Sequence, residues 1–347
     1  MNKRQTPASE RTPRNRRILA TCGLAAAVEL CALALATTAR AQQQRPPVAG
    51  PTIKVTTAVV NVYAVVRNKH GELIPNLTKN DFEIFEDGQQ QKITYFLKEA
   101  DAPLTLCIMV DTSPSQERVL STEQREADEF VRQVIGPKDL ACVVHFDLAV
   151  ELLQDFTAET SRLTRAIDET VINGGGSGGG PLPGTFPTSH TACCTKLYDA
   201  IYLASRKLLA TQVGRKVMIL LTDGEDAGSQ ETLAAALKAA QKADVIIYSI
   251  AIIDRAFYGF GGMGFNGLSV LQKCSSQTGG RVIRVNKIRN THAAFQEIAN
   301  ELRTQYLLGY TPANTKPGGG FRKITVRVRE RGYKVQARRG YYPPASN

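Results

Sequence analysis

Met109-Val110-Asp111-Thr112-Ser113-Pro114-Ser115 closes an apolar run and reads D-x-S-x-S. A loop this short can aim three oxygen-bearing side chains at one point. Further along, a second apolar run ends in Leu221-Thr222-Asp223-Gly224-Glu225-Asp226, and Thr195 opens a helical pattern between the two. Asp111, Ser113, Ser115, Thr195 and Asp223 together form an all-oxygen set of carboxylates and hydroxyls. Such a set suits a hard cation: Mg²⁺ takes octahedral oxygen ligands at about 2.0–2.1 Å and keeps some of its waters. Singly, Asp111 reads as a turn cap and Asp223-Gly224 as a strand-end turn. Together, convergent carboxylates call for a cation or for donors. Glu225 and Asp226 read either as supports behind the ligands or as solvated side chains, the latter preferred.

The elements that must carry these residues are legible in the apolar pattern. Leu104–Val110, Leu140–Val144, Val217–Leu221 and Val245–Ile253 are near-continuous apolar runs, as in strands covered on both faces of a parallel sheet. Helical stripes alternate with them. One runs through Ala127, Phe130, Val131, Val134 and Ile135 to Gly136-Pro137, and another through Leu197, Ile201, Ala204 and Leu208. Leu233–Ala243, Asn266–Thr278 and Ala293–Leu302 make three more. The alternation predicts a doubly wound, mostly parallel α/β sheet, whose ligands bind beyond the carboxyl ends of the strands. Asp111, Ser113, Ser115 and Asp223 stand at such ends.

On either side the pattern turns to antiparallel β. Val55–Val66 and Phe82–Phe96 alternate, with a hairpin signal at Glu86-Asp87-Gly88. After Tyr306 come Tyr306–Tyr310, Phe321–Val328 and Tyr333–Tyr341. The expected organisation is residues 1–41 as a signal peptide, 42–102 as an N-terminal β domain, 103–304 as the α/β domain with the metal site, and 305–347 as a C-terminal β segment. Three terminal strands are marginal alone, so the two β segments are expected to pack as one sandwich.

Of the 347 residues, 43% are hydrophobic and 22% charged, which excludes wholesale disorder and a fibrous chain. Only one apolar stretch approaches spanning length, Ile18–Ala36. It follows the basic Met1–Arg17 and precedes Ala39-Arg40-Ala41, as in a secretory signal peptide; the competing reading is an uncleaved anchor. The net charge of +11 is concentrated: seven Lys/Arg fall in residues 1–41, and eight fall in Phe321–Gly340 against the single Glu330. That second cluster alternates with Ile324, Val326, Val328 and Val335 and reads as the solvated face of a β-hairpin, not as a nucleic-acid surface. Cys107, Cys142, Cys193, Cys194 and Cys274 would remain after cleavage, an odd set without metal-ligand spacing. Cys107 and Cys142 fall in core strands, and Cys193-Cys194 reads as two inert thiols or as a redox-sensitive element beside the ion, the former preferred because no cationic neighbour is evident. Gly174–Gly180 lacks the Gly-Lys-Ser/Thr of a phosphate loop, and Phe257–Phe265 reads as either a contact rim or a loose loop.

D-x-S-x-S, a later Thr at a helix start and a later Asp-Gly after a strand resemble the metal-ion-dependent adhesion site of von Willebrand factor A domains. Asp81-Phe82, Glu86-Asp87-Gly88, Thr195-Lys-Leu-Tyr-Asp-Ala, Tyr306-Leu-Leu-Gly-Tyr and Gly340-Tyr341-Tyr342 extend the resemblance to bacterial VWFA-related proteins. The resemblance implies that Ser113, Ser115 and Thr195 ligate a divalent ion, Mg²⁺ or Mn²⁺. It implies that Asp111 and Asp223 act directly or through water. Pro114 and Cys193-Cys194 stand where small residues are frequent.

Three functions compete on these residues. The first is an exported, non-enzymatic module that captures an acidic group of another protein through the ion. The second is a structural envelope protein with a degenerate site. The third is a phosphohydrolase with Asp111 as nucleophile, for which no phosphoryl clamp, second acid or Gly-x-Ser-x-Gly elbow is present.

Overall fold

The computed structural model describes residues 59–98, 103–172, 195–252, 266–316, 318 and 320–344. The expected signal peptide, the glycine-rich Asn173–Gly184, Cys193-Cys194 and Phe257–Phe265 lie outside the described residues. From the amino end run β1 (Val60–Arg67), β2 (Phe82–Glu86), β3 (Gln89–Gln91) and β4 (Ile93–Lys98). Next come β5 (Leu104–Asp111), α1 (Leu120–Val134), β6 (Leu140–Phe146), β7 (Val150–Thr157), α2 (Thr160–Asp168) and α3 (Leu197–Leu203). They are followed by β8 (Arg215–Thr222), α4 (Leu233–Lys242), β9 (Val245–Ile252), α5 (Gly267–Thr278), β10 (Val282–Val285) and α6 (Thr291–Thr304). The chain closes with β11 (Tyr306–Tyr310), β12 (Arg322–Val328), β13 (Lys334–Ala337) and β14 (Gly340–Tyr341).

The central sheet has the order β10-β9-β8-β5-β6-β7 and is parallel except for β7, which runs antiparallel to β6. Every residue of β5 and β9 is buried, as a strand between two helical layers requires. Alternate side chains of β5 serve opposite layers. Leu106, Ile108 and Val110 pack with Phe130, Ile167 and Phe295 from α1, α2 and α6, while Cys107 and Met109 pack with Leu197, Ile201, Leu237 and Leu271 from α3, α4 and α5. The fold is therefore the doubly wound α/β arrangement expected. The chain leaves β5 for β6 on one side and reaches β8 on the other, so the β5/β8 boundary is the switch point.

Three elements were not anticipated: β7, α2 and β10. β7 is a half-exposed edge strand with no apolar run, and α2 and β10 are short. The helix expected over Leu197–Leu208 is interrupted. α3 gives way at Ala204–Leu208 to a wider π turn and then to a 3₁₀ turn at Leu209–Thr211.

The strands of the two chain ends interleave in two antiparallel sheets, β13-β1-β11-β4 and β14-β12-β2-β3. Val62, Leu308 and Tyr310 of the first sheet share a core with Phe82, Ile84 and Ile324 of the second, so the expected sandwich forms. The turn between β2 and β3 places Asp87 and Gly88 at φ of 48° and 85°, the left-handed pair of a two-residue hairpin.

The basic stretch Phe321–Gly340 is not a hairpin. β12 pairs with β2 and β14, whereas β13 pairs with β1 in the other sheet. Nor is all its charge solvated. Glu86 is buried in the sandwich and must be satisfied there. Arg322 turns inward to donate to its Oε1 at 3.1 Å, and Tyr310 and Tyr341 donate to its Oε2 at 2.7 and 3.1 Å. A second buried acid, Glu301 of α6, is paired by Arg67 of β1 and Arg281. Arg338, just after β13, pairs with Asp244 before β9.

Candidate metal centre

Asp111 is the last residue of β5 and is 0% exposed. Its Oδ1 accepts the Ser113 backbone N–H at 3.0 Å, which folds the loop back over the strand end, and its Oδ2 accepts the Thr222 hydroxyl at 2.5 Å. Pro114 opens the 3₁₀ turn Pro114–Gln116, where its fixed φ suits the first helical position. That turn brings Ser113 Oγ and Ser115 Oγ to 3.1 Å.

Asp223 follows β8 directly: Val110 pairs with Leu221, so Asp111 lies level with Thr222 and Asp223 stands one residue beyond. Gln116, fully buried, donates its amide to Asp223 Oδ2 at 2.9 Å and to Ser115 Oγ at 3.2 Å. The Asp223 loop is possible only because Gly224 adopts φ of 91° and Gly267 has no side chain. A Cβ on Gly224 would meet Gly267 O at 2.5 Å, and one on Gly267 would meet Asp223 O at 2.4 Å.

Thr195 is 8% exposed and lies in the segment that leads into α3. Its carbonyl accepts the Ala227 N–H at 3.0 Å, and the next residue, Lys196, donates its N–H to Asp147 O at 3.0 Å. Asp147 Oδ2 in turn accepts the Thr112 hydroxyl at 2.6 Å. The Thr195 segment is thus tied both to the loop after β8 and, through Asp147, to the loop after β5. Asp111, Ser113, Ser115 and Asp223 form one bonded group, and Thr195 is pinned beside it.

The residues present fit a divalent cation. Both carboxylates are buried at the strand ends, and burial, reinforced by the Asp223 charge, pushes the Asp111 carboxyl up to about 7. Gln116 Oε1 and both carboxyl oxygens of Glu123 are buried acceptors without a hydrogen-bond donor. A cluster this rich in acceptors and hydroxyls suits a hard ion with oxygen ligands.

Several proteins of known structure resemble this fold at low identity. Proximal thread matrix protein 1 of the mussel byssus is 14% identical with a TM-score of 0.46, over 69% of this chain and 50% of its own. This chain therefore spans about half the length of that protein, which has also been solved with a zinc-occupied MIDAS motif. A von Willebrand factor type A protein from Catenulispora acidiphila is 12% identical with a TM-score of 0.42, over 78% of this chain and 76% of its own. BatB from Bacteroides thetaiotaomicron is 18% identical with a TM-score of 0.41, over 57% of this chain and 98% of its own. No family model and no curated protein matches the chain. These likenesses are distant, and the fold stands on the sheet order and register given above.

Glu225 and Asp226 are half-buried, and both make specific hydrogen bonds beyond their contact with solvent. Glu225 accepts the N–H groups of Asn266 and Gly267 at 2.8 Å each, and Asp226 accepts the Tyr198 N–H at 3.0 Å and the Ser229 hydroxyl at 2.6 Å. Helix starts leave backbone N–H groups without partners, and nearby carboxylates satisfy them. Sequence reading also passed over Thr112, Gln116, Glu123, Asp147 and Thr222. Asp147 and Thr222 had a signal, because each stands at the carboxyl end of a strand. Glu123 had one too: it sits one turn before Ala127 on the apolar stripe of α1.

Among the described residues no helix is long and apolar enough to cross a membrane. Cys107, Cys142 and Cys274 are buried free thiols.

Proposed function

We propose that this chain is an exported, non-enzymatic binding protein of von Willebrand factor A type. Asp111, Ser113, Ser115, Thr195 and Asp223 would hold Mg²⁺ or Mn²⁺, and the ion would supply an electrophilic centre for an acidic side chain of another protein. The observation that carries this reading is the joining of Asp111, Ser113, Ser115 and Asp223 by Gln116 at the switch point, among buried acceptors that lack donors. Hydroxyl ligands neutralise less of the ion's charge than carboxylates do, which favours exchange of a bound water for a partner's carboxylate.

The phosphohydrolase reading gains nothing from this geometry. A nucleophilic Asp111 would call for a phosphoryl clamp and a second acid, and the D-x-S-x-S loop supplies neither.

Thermal melting of the full chain in millimolar Mg²⁺ or Mn²⁺ against EDTA tests the reading. An ion that binds only the folded state must raise the melting temperature, so an unchanged temperature would overturn it. Capture from an envelope extract in Mg²⁺ but not in EDTA would identify the partner. For export, intact-mass analysis should give a mature amino terminus at or near Gln42; recovery of the full-length chain in the membrane pellet would favour the anchor.

A further inference from the structure

Glu123 sits on the inner face of α1 and is 0% exposed. Neither of its carboxyl oxygens has a hydrogen-bond donor. The charges that act on it are those of Asp111 and Asp223, both anions. Its neighbours along the stripe are Ala127, Phe130 and Val131, all in the core. A leucine would satisfy that face of the helix, whereas a fully buried carboxyl without a donor is costly unless a cation or donor meets it. Gln116 Oε1 is a second donorless acceptor, on the side chain that bridges Ser115 and Asp223.

We infer that Glu123 is a further acidic residue of the cation site, acting on the ion from the buried side and setting how firmly it is held. The inference rests on the metal-binding reading above and extends it. Asp111 and Asp223 stand at the strand ends, where a partner's acid would approach. Glu123 is tied to the loop after β5, since its N–H donates to Val119 O at 3.0 Å and the Val119 N–H to Gln116 O at 2.9 Å, and its full burial keeps it out of an incoming carboxylate's reach. Holding the ion and capturing the partner are thereby assigned to different sides of the site, and release of the partner leaves the ion in place.

The test is calorimetric titration of the metal-free full chain with Mn²⁺ and with Mg²⁺, for the wild type and Glu123→Gln. Melting curves in EDTA serve as the fold control. The amide keeps the shape and removes the charge. Expected is a loss of Mn²⁺ affinity of at least about tenfold, the scale of supporting residues around metal sites, with a melting temperature in EDTA equal to or above that of the wild type. A lower melting temperature in EDTA with unchanged affinity would make Glu123 a structural residue and overturn the inference. Unchanged affinity with unchanged melting would overturn it as well. Glu123→Leu, which completes the apolar stripe, must show the same loss. If the wild type itself does not bind either ion, the metal-binding reading fails and this inference with it. If the wild type binds and both variants match it, only the role of Glu123 fails.

Discussion

Gln116 Nε2 lies 2.9 Å from Asp223 Oδ2 and 3.2 Å from Ser115 Oγ, so one neutral amide joins the loop after β5 to the loop after β8. Gln116→Ala removes that link and leaves a buried carboxylate short of a donor. The cost should be about 1–3 kcal/mol of stability in EDTA, read from denaturant unfolding. Mn²⁺ affinity should fall in parallel. A variant as stable as the wild type would show that the amide bridge carries no weight.

Ser113→Ala and Asp223→Ala separate ligation from folding. Ser113 contributes a hydroxyl and no core packing, so its loss should leave stability in EDTA within about 0.5 kcal/mol while reducing the upward shift in melting temperature caused by Mg²⁺. Asp223→Ala removes a charge as well as a ligand and should abolish that shift. Equal shifts in both variants and the wild type would exclude these residues from the site.

Acid should strengthen the ion-free protein and weaken ion binding. The Asp111 carboxyl is raised from 3.8 to about 7, first by burial and then by Asp223. The folded chain thus holds a proton that the unfolded chain has lost between those values. This contribution to stability is fully present below about 3.8 and is lost as pH rises towards 7. A cation competes for the same oxygens, so Mn²⁺ affinity should drop as pH falls below about 7. Titrations at pH 5.5 and 8 decide the matter: equal affinity at both would contradict the raised Asp111.

Gly224→Ala should be among the costlier single changes in the α/β part. It places a Cβ on a residue at φ of 91°, 2.5 Å from Gly267 O. Strain and overlap together should cost at least ~2 kcal/mol. Gly267→Ala meets Asp223 O from the opposite side and should behave alike. Unfolding midpoints close to the wild type in both would mean that the two loops part easily.

Glu301→Ala should cost roughly 3–5 kcal/mol, because it leaves Arg67 and Arg281 facing an emptied, buried position. Chemical denaturation would show it. Since Arg67 belongs to β1 and Glu301 to α6, proteolysis of the sandwich strands should quicken in this variant. A loss below 1 kcal/mol would show the triad to be incidental.

The sequence announced most of what positions the site. β5, β6, β8 and β9 are buried on both faces, so their apolar runs were unmistakable, and residues at their ends could be placed on one side of the sheet. β7 shows half its surface to water and mixes Glu151, Gln154 and Asp155 with its apolar residues, leaving neither a run nor a clean alternation. β12 and β13 looked like partners because they are neighbours in sequence. What parts them is the burial of Glu86, which draws Arg322 inward and seats β12 against β2. The ligand set was read from spacing alone. Gln116 and Glu123 escaped because their importance comes from burial, which a spacing does not reveal: a glutamine after a turn and a glutamate in a helix look like surface residues.

The interleaving of the two chain ends dictates an order of assembly during synthesis. β1 has β11 on one side and β13 on the other, and Leu77 N–H finds the Tyr306 hydroxyl 229 residues later. A ribosome therefore releases β1 and β4 long before their partners exist, and leaves the β12 side of β2 open, while the α/β sheet can already close on itself. Until the last strands arrive, the leading strands carry open hydrogen-bonding edges, the kind of surface that recruits other chains. The nascent protein is most exposed to aggregation, and most in need of a holding chaperone, in the interval before β11, β12 and β13 emerge.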